Sequence, residues 1–509
     1  MKNFYRSPAE NAAPAAGACI AALDVGTTAV KACLFSPSLD LLACGLREYT
    51  LHTRGNRVEA EGEQYLSAIR DSLAQAMAAV PGARVAAVGI ATQGETLAPV
   101  DAEGRPLRPF LVWLDGRAGA EAEALSGVLP ADAFYRETGL PEITGALPLA
   151  KLAWIRKNEP EIFKRARQFM LLEDYLLFRL TGRRVSEKAL QTSTGWFSLR
   201  RDALWPEALE AVGVKPERLP ELAECGAPVG PLLPEAAREL GLPPGIPVVA
   251  GAMDQTAAAL AVGGARPGAV TETTGTALVV TACTNAPAVS LSHRVTVYRH
   301  ALKGRFLYLP IGNTAGMALK WFRDEFCKDL PPGAAGYAAL DELAARAPRG
   351  SGGLVFLPFL CGCVDPDACP QARAVFFGAR LSTTRAEFAC SVMEAVAFML
   401  ADFLEMLDGL GCPVETVSSL GGGARSPLWQ QMKADASGRE LRVPACGEAA
   451  AMGAALLAGW GAELIEPGTY PVRRGETVYR PDPEAFDAYR EARELSHRLY
   501  RAVKPLYGP

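Results

Sequence analysis

Short apolar runs that end on polar turns alternate with stretches of helical spacing along this chain. Residues 19–23 and 85–90 are almost wholly apolar, and each run predicts a buried strand. Apolar residues at helical spacing predict long helices over residues 63–79 and 385–407. The alternation of buried strands with helices is typical of α/β proteins, in which ligands meet the carboxyl ends of the strands.

The same pattern predicts further elements along the chain. Strands over residues 32–46 and 47–53 would extend the first strand into a meander, with turns at Ser36-Pro37 and near Gly45. Other predicted strands cover residues 110–113, 246–250 and 416–420, and a strand that begins at residue 269 is followed by a Thr/Gly turn at 273–276 and a further strand at 278–282. Other predicted helices cover 118–126, 149–158, 172–180, 257–262, 429–436, 448–458 and 483–503.

Length and charge narrow the class of protein. A chain of 509 residues is too long for one ordinary core, so we expect two large domains. The net charge of −4 and the lack of a basic run argue against a nucleic-acid partner. Residues 1–17 contain no apolar run of signal-peptide length, and residues 449–460 are too few to span a bilayer. We therefore expect a cytoplasmic protein without a membrane anchor.

The twelve cysteines are scattered through apolar runs, which favours reduced core thiols over a disulfide framework. Cys361, Cys363 and Cys369 form the tightest cluster. It leaves open a zinc site or a redox pair, although no histidine lies close in sequence.

The first strand ends on Asp24, and the turn that follows carries Gly26, Thr27 and Thr28. Glycine lets another group approach the backbone closely, and the threonines offer hydroxyl and amide donors to phosphate oxygens. Asp24 could hold a hydrated Mg²⁺ beside such phosphates, whereas a plain hairpin turn would use the same residues structurally. A second Thr-Gly turn at 273–276 repeats this pattern in the second half, which suggests two related domains that clamp a nucleotide from both sides.

Polar residues follow two other predicted strands and begin one predicted helix. Gln93 and Glu95 follow the strand at 85–90, where they would form either a ligand site or a solvated loop. Asp115 and Arg117 could face a polyol or form an ion pair with each other. Asp174 could bind substrate or stabilise the start of its own helix.

Two strand-to-helix turns carry the strongest candidates for chemistry. Asp254 follows the strand at 246–250 with small neighbours, which suits a general base on rigid elements, although an N-cap is the alternative. Glycines 421–423 follow the strand at 416–420 and would let a flat ring approach the backbone, unless they form only a turn.

Taken together, these motifs resemble the FGGY family of carbohydrate kinases, closest to its xylulokinase-like branch. The resemblance covers residues from about 19 to about 470 and rests on short motifs in the family's order. The motifs are DVGTT at 24–28, WLDGR at 113–117, GAMD at 251–254, TGT at 274–276, NTAG at 313–316, PQAR at 370–373 with FFG at 376–378, and GGGARS at 421–426.

The resemblance implies two actin-like (ribonuclease H-like) domains around a deep cleft, with ATP and Mg²⁺ as cofactors and a small sugar or polyol as substrate. It implies that Asp254 is the catalytic base, that Asp24 and Asp254 lie near Mg²⁺ through water, and that two further groups of residues surround the ligands. The nucleotide and phosphate group is Thr27, Thr28, Gly275, Thr276, Gly316, Gly422, Gly423 and Ser426, and the sugar group is Gln93, Glu95, Trp113, Asp115, Asp174 and Gln255.

Two departures from the xylulokinase pattern bear on the substrate. Where xylulokinases carry Gln-Met-His-Gly, this chain has QGET at 93–96. This motif is intermediate between that of the xylulokinases and the Gln-Arg-Glu-Thr of glycerol kinases. Gly94 would leave room for a longer substrate. The usual Gly-Glu-Arg-Thr-Pro is GCVDP at 362–366. We expect phosphorylation of a primary hydroxyl of a ketopentose. The alternatives are a kinase for glycerol, erythritol or another small polyol, and, from another class, a non-catalytic actin-like ATPase or sugar sensor.

The expected organisation has four parts. A disordered lead-in covers residues 1–18, a sugar-binding domain 19–264, an ATP-binding domain 265–475, and a helical tail 476–509. Members of the family are often dimers, so a homodimer is one expectation for the assembly.

Overall fold

Two mixed β-sheets, one in each half of the chain, form the framework of the molecule. The computed structural model describes residues 17–291, 294–363, 369–445, 447–470 and 475–508. Residues 1–16 of the expected lead-in and residues 364–366 of the GCVDP motif lie outside this part, and Ala18 already belongs to the first strand.

The first half places its elements as follows. Its strands are β1 Ala18–Val25, β2 Ala29–Phe35, β3 Leu41–Glu48, β4 His52–Arg54, β5 Arg57–Ala60, β6 Arg84–Thr92, β7 Leu97–Val100, β8 Phe110–Leu111, β9 Gln168–Leu171, β10 Val185–Glu187, β11 Phe197–Ser198, β12 Ala203–Leu204, β13 Glu221–Ala223, β14 Pro228–Pro231 and β15 Pro247–Met253. Its helices are α1 Gly62–Ala79, α2 Gly119–Ser126, α3 Ala131–Thr138, α4 Pro148–Asn158, α5 Pro160–Arg165, α6 Leu172–Thr181, α7 Lys188–Gln191, α8 Pro206–Val212, α9 Pro234–Leu240 and α10 Asp254–Ala261.

The second half is built in the same way. Its strands are β16 Ala269–Thr274, β17 Leu278–Thr284, β18 Val297–Arg299, β19 Phe306–Tyr308, β20 Ile311–Gly312, β21 Val355–Leu357, β22 Val375–Phe377, β23 Thr416–Leu420, β24 Glu440–Val443 and β25 Thr477–Tyr479. Its helices are α11 Gly316–Phe326, α12 Ala334–Ala344, α13 Arg385–Gly409, α14 Pro427–Ser437, α15 Ala449–Gly461 and α16 Pro483–Val503.

The two main sheets share one topology. The first has the order β14-β15-β6-β1-β2-β3, and the second has β18-β19-β17-β16-β23-β24-β25. Each sheet contains an antiparallel hairpin, β1–β2 or β16–β17. The first strand of the hairpin pairs in parallel with a further strand, β6 or β23, and that strand pairs in parallel with the next, β15 or β24. The carboxyl ends of parallel strands meet at one edge, so the turns that follow them are gathered there in both halves.

Most predicted elements are confirmed at nearly their predicted bounds. The helix expected at 385–407 is α13, whose start is capped by Thr384, since its side chain accepts a hydrogen bond from the Glu387 amide. The prediction of a turn near Gly45 is wrong, because Gly45 lies inside β3 and faces α1. A Cβ atom there would lie 1.9 Å from the carbonyl oxygen of Ser72, so glycine serves close packing at this position.

Helix α15 joins the two halves. It belongs to the second half of the chain but packs against β1, β6, β15 and α10 of the first. Small residues permit this contact: a Cβ at Gly453 would lie 2.0 Å from the Ala257 carbonyl oxygen, and one at Gly89 would lie 2.4 Å from that of Ala454. Within the described ranges, no helix is both long and apolar enough to cross a bilayer.

Candidate active site

The carboxyl ends of β1, β6 and β15 bring three of the predicted site segments to one edge of the first sheet. Val25 is the register partner of Thr92, and Thr92 is that of Met253. Asp24, the last residue but one of β1, therefore lies at the same edge as the turn that begins at Gln93 after β6 and as Asp254 after β15. Residues more than 200 positions apart in sequence are gathered by this register alone.

Asp254 is the first residue of α10 and Met253 occupies the cap position, so the alternative of an N-cap role for Asp254 does not hold. Its side chain is only partly exposed and accepts a hydrogen bond from the Gln255 amide at 2.6 Å. Burial raises the pKa of Asp254 to about 7, and the neighbouring carboxylates of Asp24 and Glu95 act in the same direction. A carboxyl with a pKa near neutrality suits proton transfer.

Asp24 is also partly exposed at this edge. Burial raises its pKa to about 6, against the effect of Lys31, which is its register partner on β2. The Lys31 ammonium lies 2.5 Å from the carboxylate of Glu448, just before α15, so this pair connects the two halves beside Asp24.

Glu95 has a left-handed backbone with φ of 51°, which is uncommon for a residue other than glycine, and its side chain is partly exposed. The Tyr298 hydroxyl, on β18 of the second half, donates to Glu95 Oε1 at 3.1 Å. Fully buried Lys151 donates to the carbonyl oxygens of Glu95 and Val112, each at 2.9 Å. Burial raises the pKa of Glu95, while Lys151 and Tyr298 oppose this rise.

Gly94 does not widen the site as expected. A Cβ atom there would lie 3.1 Å from Met253 Sδ and 3.3 Å from Ser193 Oγ, so the space beside it is already occupied by protein. Glycine at this position admits those two side chains and gives no support to the idea of a longer substrate.

Trp113 connects the turn predicted to bind phosphate, which carries Thr27, with the turn predicted to bind sugar, which carries Thr96. Its indole is 39% exposed, and its Nε1 donates to the Thr27 hydroxyl at 2.9 Å. Its own amide donates to the Thr96 hydroxyl, which ties the WLDGR turn to the QGET turn. Thr28 is exposed and Gln255 is partly exposed at the same edge, and both are accessible to a ligand.

Three predicted sugar residues lie inside the protein. Gln93 donates to the Tyr65 hydroxyl at 3.4 Å, and Asp174 accepts from the Leu171 amide at 2.8 Å at the start of α6. Asp115 is paired with Arg117 through two hydrogen bonds of 2.8 and 2.7 Å and also accepts from the Val58 amide. Each side chain is at most 2% exposed. In the structure, Asp115 therefore forms an ion pair with Arg117, and Asp174 stabilises the start of its own helix. The sequence had left these roles open beside direct contact with the sugar.

Two buried carboxyl groups support the end of β15. The pairing of β15 with β6 shifts register between Val249 and Ala252, which frees strand amides from their usual partners. Glu173 accepts from the Gly251 amide at 2.9 Å, and Glu187 accepts from the Met253 amide at 3.1 Å. Both carboxyls are fully buried, and burial raises the pKa of Glu187 to about 7. They hold the backbone that immediately precedes Asp254.

The predicted nucleotide residues meet at the corresponding edge of the second sheet. The Gly316 amide, at the start of α11, donates to the Gly275 carbonyl oxygen at 2.9 Å, and Gly275 and Thr276 are exposed. Gly422 is exposed as well, whereas Gly423 packs on Thr274, where a Cβ would lie 2.7 Å from the Thr274 side chain. Ser426 accepts from the Trp429 amide at 3.0 Å and so caps α14.

A fully buried ion pair lies beneath these glycine turns. Lys433 of α14 lies 2.7 Å from Glu272 of β16 and also donates to the Thr274 hydroxyl at 2.7 Å. Burial lowers the pKa of Lys433, while Glu272 opposes this effect. The pair fixes β16 directly before the exposed Gly275–Thr276 backbone.

Within the described ranges, no group of three or more His, Cys, Asp and Glu side chains is arranged to hold a metal ion. Cys363 and Cys369 are buried and form an antiparallel bridge through their backbones, and the zinc or redox role that the sequence left open for this cluster gains no support.

This architecture defines a two-domain α/β protein with a carboxylate-lined edge in one domain and a glycine-lined edge in the other. The model of the FGGY family of carbohydrate kinases, N-terminal domain, matches residues 19–261, and that of the C-terminal domain matches residues 270–462. The chain therefore belongs to the FGGY family of carbohydrate kinases, which confirms the resemblance drawn from its motifs. Membership implies ATP as the phosphoryl donor and favours catalysis over a non-catalytic ATPase or sensor.

Several relatives are similar over nearly the full chain. The xylulose kinase of Escherichia coli (strain K12) is 32% identical over 499 residues, which cover 95% of this chain and 99% of that protein. The gluconokinase of Bacillus subtilis (strain 168) is 29% identical and covers 95% of this chain and 94% of its own length. The crystal structure of xylulose kinase from Rhodospirillum rubrum superposes with a TM-score of 0.86 at 28% identity, covering 96% of this chain and 100% of that one.

Sequence reasoning missed Tyr298, Lys151, Glu173, Glu187 and Lys433. A signal existed for Lys151, because it interrupts the apolar face of α4 at a position that becomes fully buried. The partners of Tyr298 and Lys433 lie 203 and 161 residues away along the chain, and no local pattern identifies them.

Proposed function

We propose that this protein transfers the γ-phosphoryl group of ATP to a primary hydroxyl of a small sugar, most favourably a ketopentose such as xylulose. The proposal is supported by family membership and by full-length similarity to xylulose kinases. The observation that carries it is the partly exposed Asp254, which follows β15 and interacts electrostatically with Asp24 and Glu95.

In this proposal Asp254 is the general base. Its partly exposed carboxylate accepts the proton of the attacking hydroxyl, and its pKa of about 7 leaves it ionised above neutrality yet basic enough to take that proton. Glu173 and Glu187 keep the preceding backbone in place, so the base is presented by a rigid strand end.

The phosphate groups of ATP are proposed to lie between the turn at residues 26–28 and the turn at residues 273–276. Thr27 and Thr28 meet the transferred phosphoryl group, with Trp113 orienting the Thr27 hydroxyl. The exposed backbone at Gly275, Thr276 and Gly422 binds the nucleotide, and Gly316, Gly423 and Ser426 shape that surface from behind. Phosphoryl transfer depends mainly on such alignment and on neutralisation of charge.

Mg²⁺ fits this site as a cofactor held largely by water and phosphate. Asp24 and Asp254 are partly exposed, interacting carboxylates, and oxygen donors of this kind suit Mg²⁺, which keeps several of its waters in kinase sites. The ion would supply positive charge opposite the transferred phosphoryl oxygens.

Glu95, Trp113 and Gln255 are proposed to contact the sugar, while Gln93, Asp115 and Asp174 support those residues from the interior. A small polyol such as erythritol or glycerol is the second candidate substrate, because Glu95 stands where xylulokinases carry histidine. A cytoplasmic location and a homodimer stay predictions from the sequence.

The decisive assay measures ADP release by the full chain with ATP and Mg²⁺ over a panel of ketopentoses, erythritol, glycerol and gluconate. We expect a ketopentose to give the highest kcat/KM. If no sugar, polyol or sugar acid stimulates ADP release, the proposed function is wrong.

A further inference from the structure

The charges around Glu95 bear on which class of sugar this site accepts. We propose that the site selects uncharged sugars and polyols and rejects sugar acids, with Glu95 as the specificity-determining residue and Tyr298 of the second half as its positioning partner. The inference rests on the proposed function and deepens it. Overall similarity does not make this distinction, since xylulose kinases and gluconokinases match the chain at 32% and 29% identity.

Three acidic side chains converge at the proposed sugar site. Asp24, Glu95 and Asp254 are each partly exposed, and the carboxyl of Asp254 interacts unfavourably with both others. A ligand that carries its own carboxylate would add a fourth negative charge at this edge. Like charges at a partly buried site repel one another, so the acid would bind weakly.

Among the residues that the structure describes, three cations of this region have protein partners. Lys31 is paired with Glu448, and Arg117 is paired with Asp115 and Glu59. Lys151 is fully buried, and its ammonium donates to the carbonyl oxygens of Glu95 and Val112. These contacts hold the QGET turn in place but leave the three ammonium and guanidinium groups committed to protein partners.

The geometry of Glu95 makes it the discriminating group of the three. Asp24 and Asp254 would share their charge with Mg²⁺, whereas Glu95 is paired with the neutral hydroxyl of Tyr298. Tyr298 is 7% exposed, and burial together with the nearby carboxylates of Glu95 and Asp254 raises its pKa, so a neutral phenol borders the same space. Because an ionised carboxylate only accepts hydrogen bonds, its remaining capacity suits a substrate hydroxyl, which can donate.

The left-handed backbone of Glu95 supports a dedicated role. A φ of 51° is unfavourable for glutamate, and the Lys151 ammonium donates to the carbonyl oxygen of this residue. This conformation aims the side chain at Tyr298 across the junction of the two halves. The specificity element therefore requires both halves of the chain.

The test compares ligands that share a carbon skeleton and differ in one terminal group, which is neutral in one ligand and anionic in the other. Xylitol and xylonate have the same carbon skeleton, with a hydroxymethyl group replaced by a carboxylate, and erythritol and erythronate form a second pair. Calorimetry with the full chain above neutral pH should give an affinity for each neutral member at least about 100-fold above that of its acid. Turnover of ketopentoses and gluconate is measured in parallel.

Two matched variants locate the effect. Glu95→Gln keeps the shape but removes the charge, and we expect it to narrow the neutral-to-acid ratio at least about tenfold. Tyr298→Phe keeps the charge and should leave that ratio unchanged while weakening both members of a pair. Thermal melting and ATP binding establish that each variant is folded.

The outcomes separate the two proposals. Equal affinity of the wild-type protein for a polyol and its acid, or efficient phosphorylation of gluconate, overturns the inference and leaves the kinase activity standing. An unchanged ratio in Glu95→Gln removes the assignment to Glu95. If the protein binds polyols more tightly than their acids but phosphorylates no sugar, the proposed selectivity holds and the proposed function is wrong.

Discussion

The hairpins β1–β2 and β16–β17 occupy equivalent places in the two halves but treat charge in opposite ways. Each hairpin continues into a parallel neighbour, β6 or β23, and each turn lies at the functional edge of its sheet. In the first half, Asp24 at the strand end is partly exposed. In the second half, Glu272 is fully buried and paired with Lys433.

The neighbouring strands extend this difference. β6 and β15 are followed by Glu95 and Asp254, both partly exposed, whereas β23 is followed by glycines 421–423. One half therefore presents carboxylates and the other presents uncharged backbone. If the proposed roles hold, this repeated framework divides one reaction between its halves, with proton and cation chemistry on one side and binding of a polyanion on the other.

Replacing Asp254 is expected to have the largest effect of all. We expect Asp254→Asn to lower kcat about 1,000-fold, because the amide cannot accept the proton of the attacking hydroxyl. Sugar-dependent ADP release measures this loss, and ATP affinity serves as the control because the backbone proposed to bind the nucleotide, at Gly275, Thr276 and Gly422, lies in the other half. Substantial residual turnover would remove the base assignment.

The buried pair of the second half should dominate stability. Replacing Lys433 by Met leaves the Glu272 carboxylate buried without its partner, and we expect a loss of about 3–5 kcal/mol in the free energy of unfolding. Denaturant unfolding measures it. The double variant Lys433→Met, Glu272→Gln should recover part of the loss, and a single variant as stable as the wild type would contradict this account.

The pH dependence follows from the raised pKa of Asp254. A folded-state pKa of about 7 means that the base is protonated and inactive below this value, so kcat/KM should fall about tenfold per pH unit as pH decreases below 7. Above pH 8 the profile should be flat with respect to this group. A profile that is flat from pH 5 to 8 would be incompatible with Asp254 as the titrating base.

The support of β15 predicts a smaller effect. Glu187→Ala removes the acceptor of the Met253 amide, and we expect kcat to fall about tenfold with little change in the KM for ATP. Glu187→Gln retains an acceptor oxygen and should restore most of the rate. Equal rates for the alanine and glutamine variants would show that this hydrogen bond does not position the base.

The partly exposed pair of Lys31 and Glu448, which joins the two halves, provides the mildest test. Lys31 and Glu448 are 37% and 22% exposed, and pairs of this kind contribute at most about 1 kcal/mol. Lys31→Met should therefore change the free energy of unfolding far less than Lys433→Met, and the difference from the wild type should shrink in high salt. A loss as large as that of Lys433→Met would erase the proposed contrast between the halves.

The strand ends could be predicted because their signals are local. An apolar run followed by DVGTT or GGGARS contains both the buried strand and its functional turn within a few residues. The helices α13 and α16 were equally readable, since their apolar spacing continues over many turns.

The remaining contacts could not be predicted for two physical reasons. Hydrogen bonds such as Tyr298–Glu95 and Lys433–Glu272 depend on tertiary folding between distant segments. Glycine carries an ambiguous signal, because the absence of a side chain permits either a turn or close packing. At Gly45 and Gly94 the reason is packing against Ser72 and against Met253, respectively.

Helix α15 has a consequence for how this gene could be divided. Residues 451–459 of the helix are buried, and many of them pack on strands and a helix encoded in the first half. A fragment that ended before β16 would expose the apolar surface that receives α15, and a fragment that began there would carry α15 without its receptor. The two halves should therefore be aggregation-prone when produced separately and recover solubility when co-expressed, which makes the chain a candidate for reconstitution from two polypeptides.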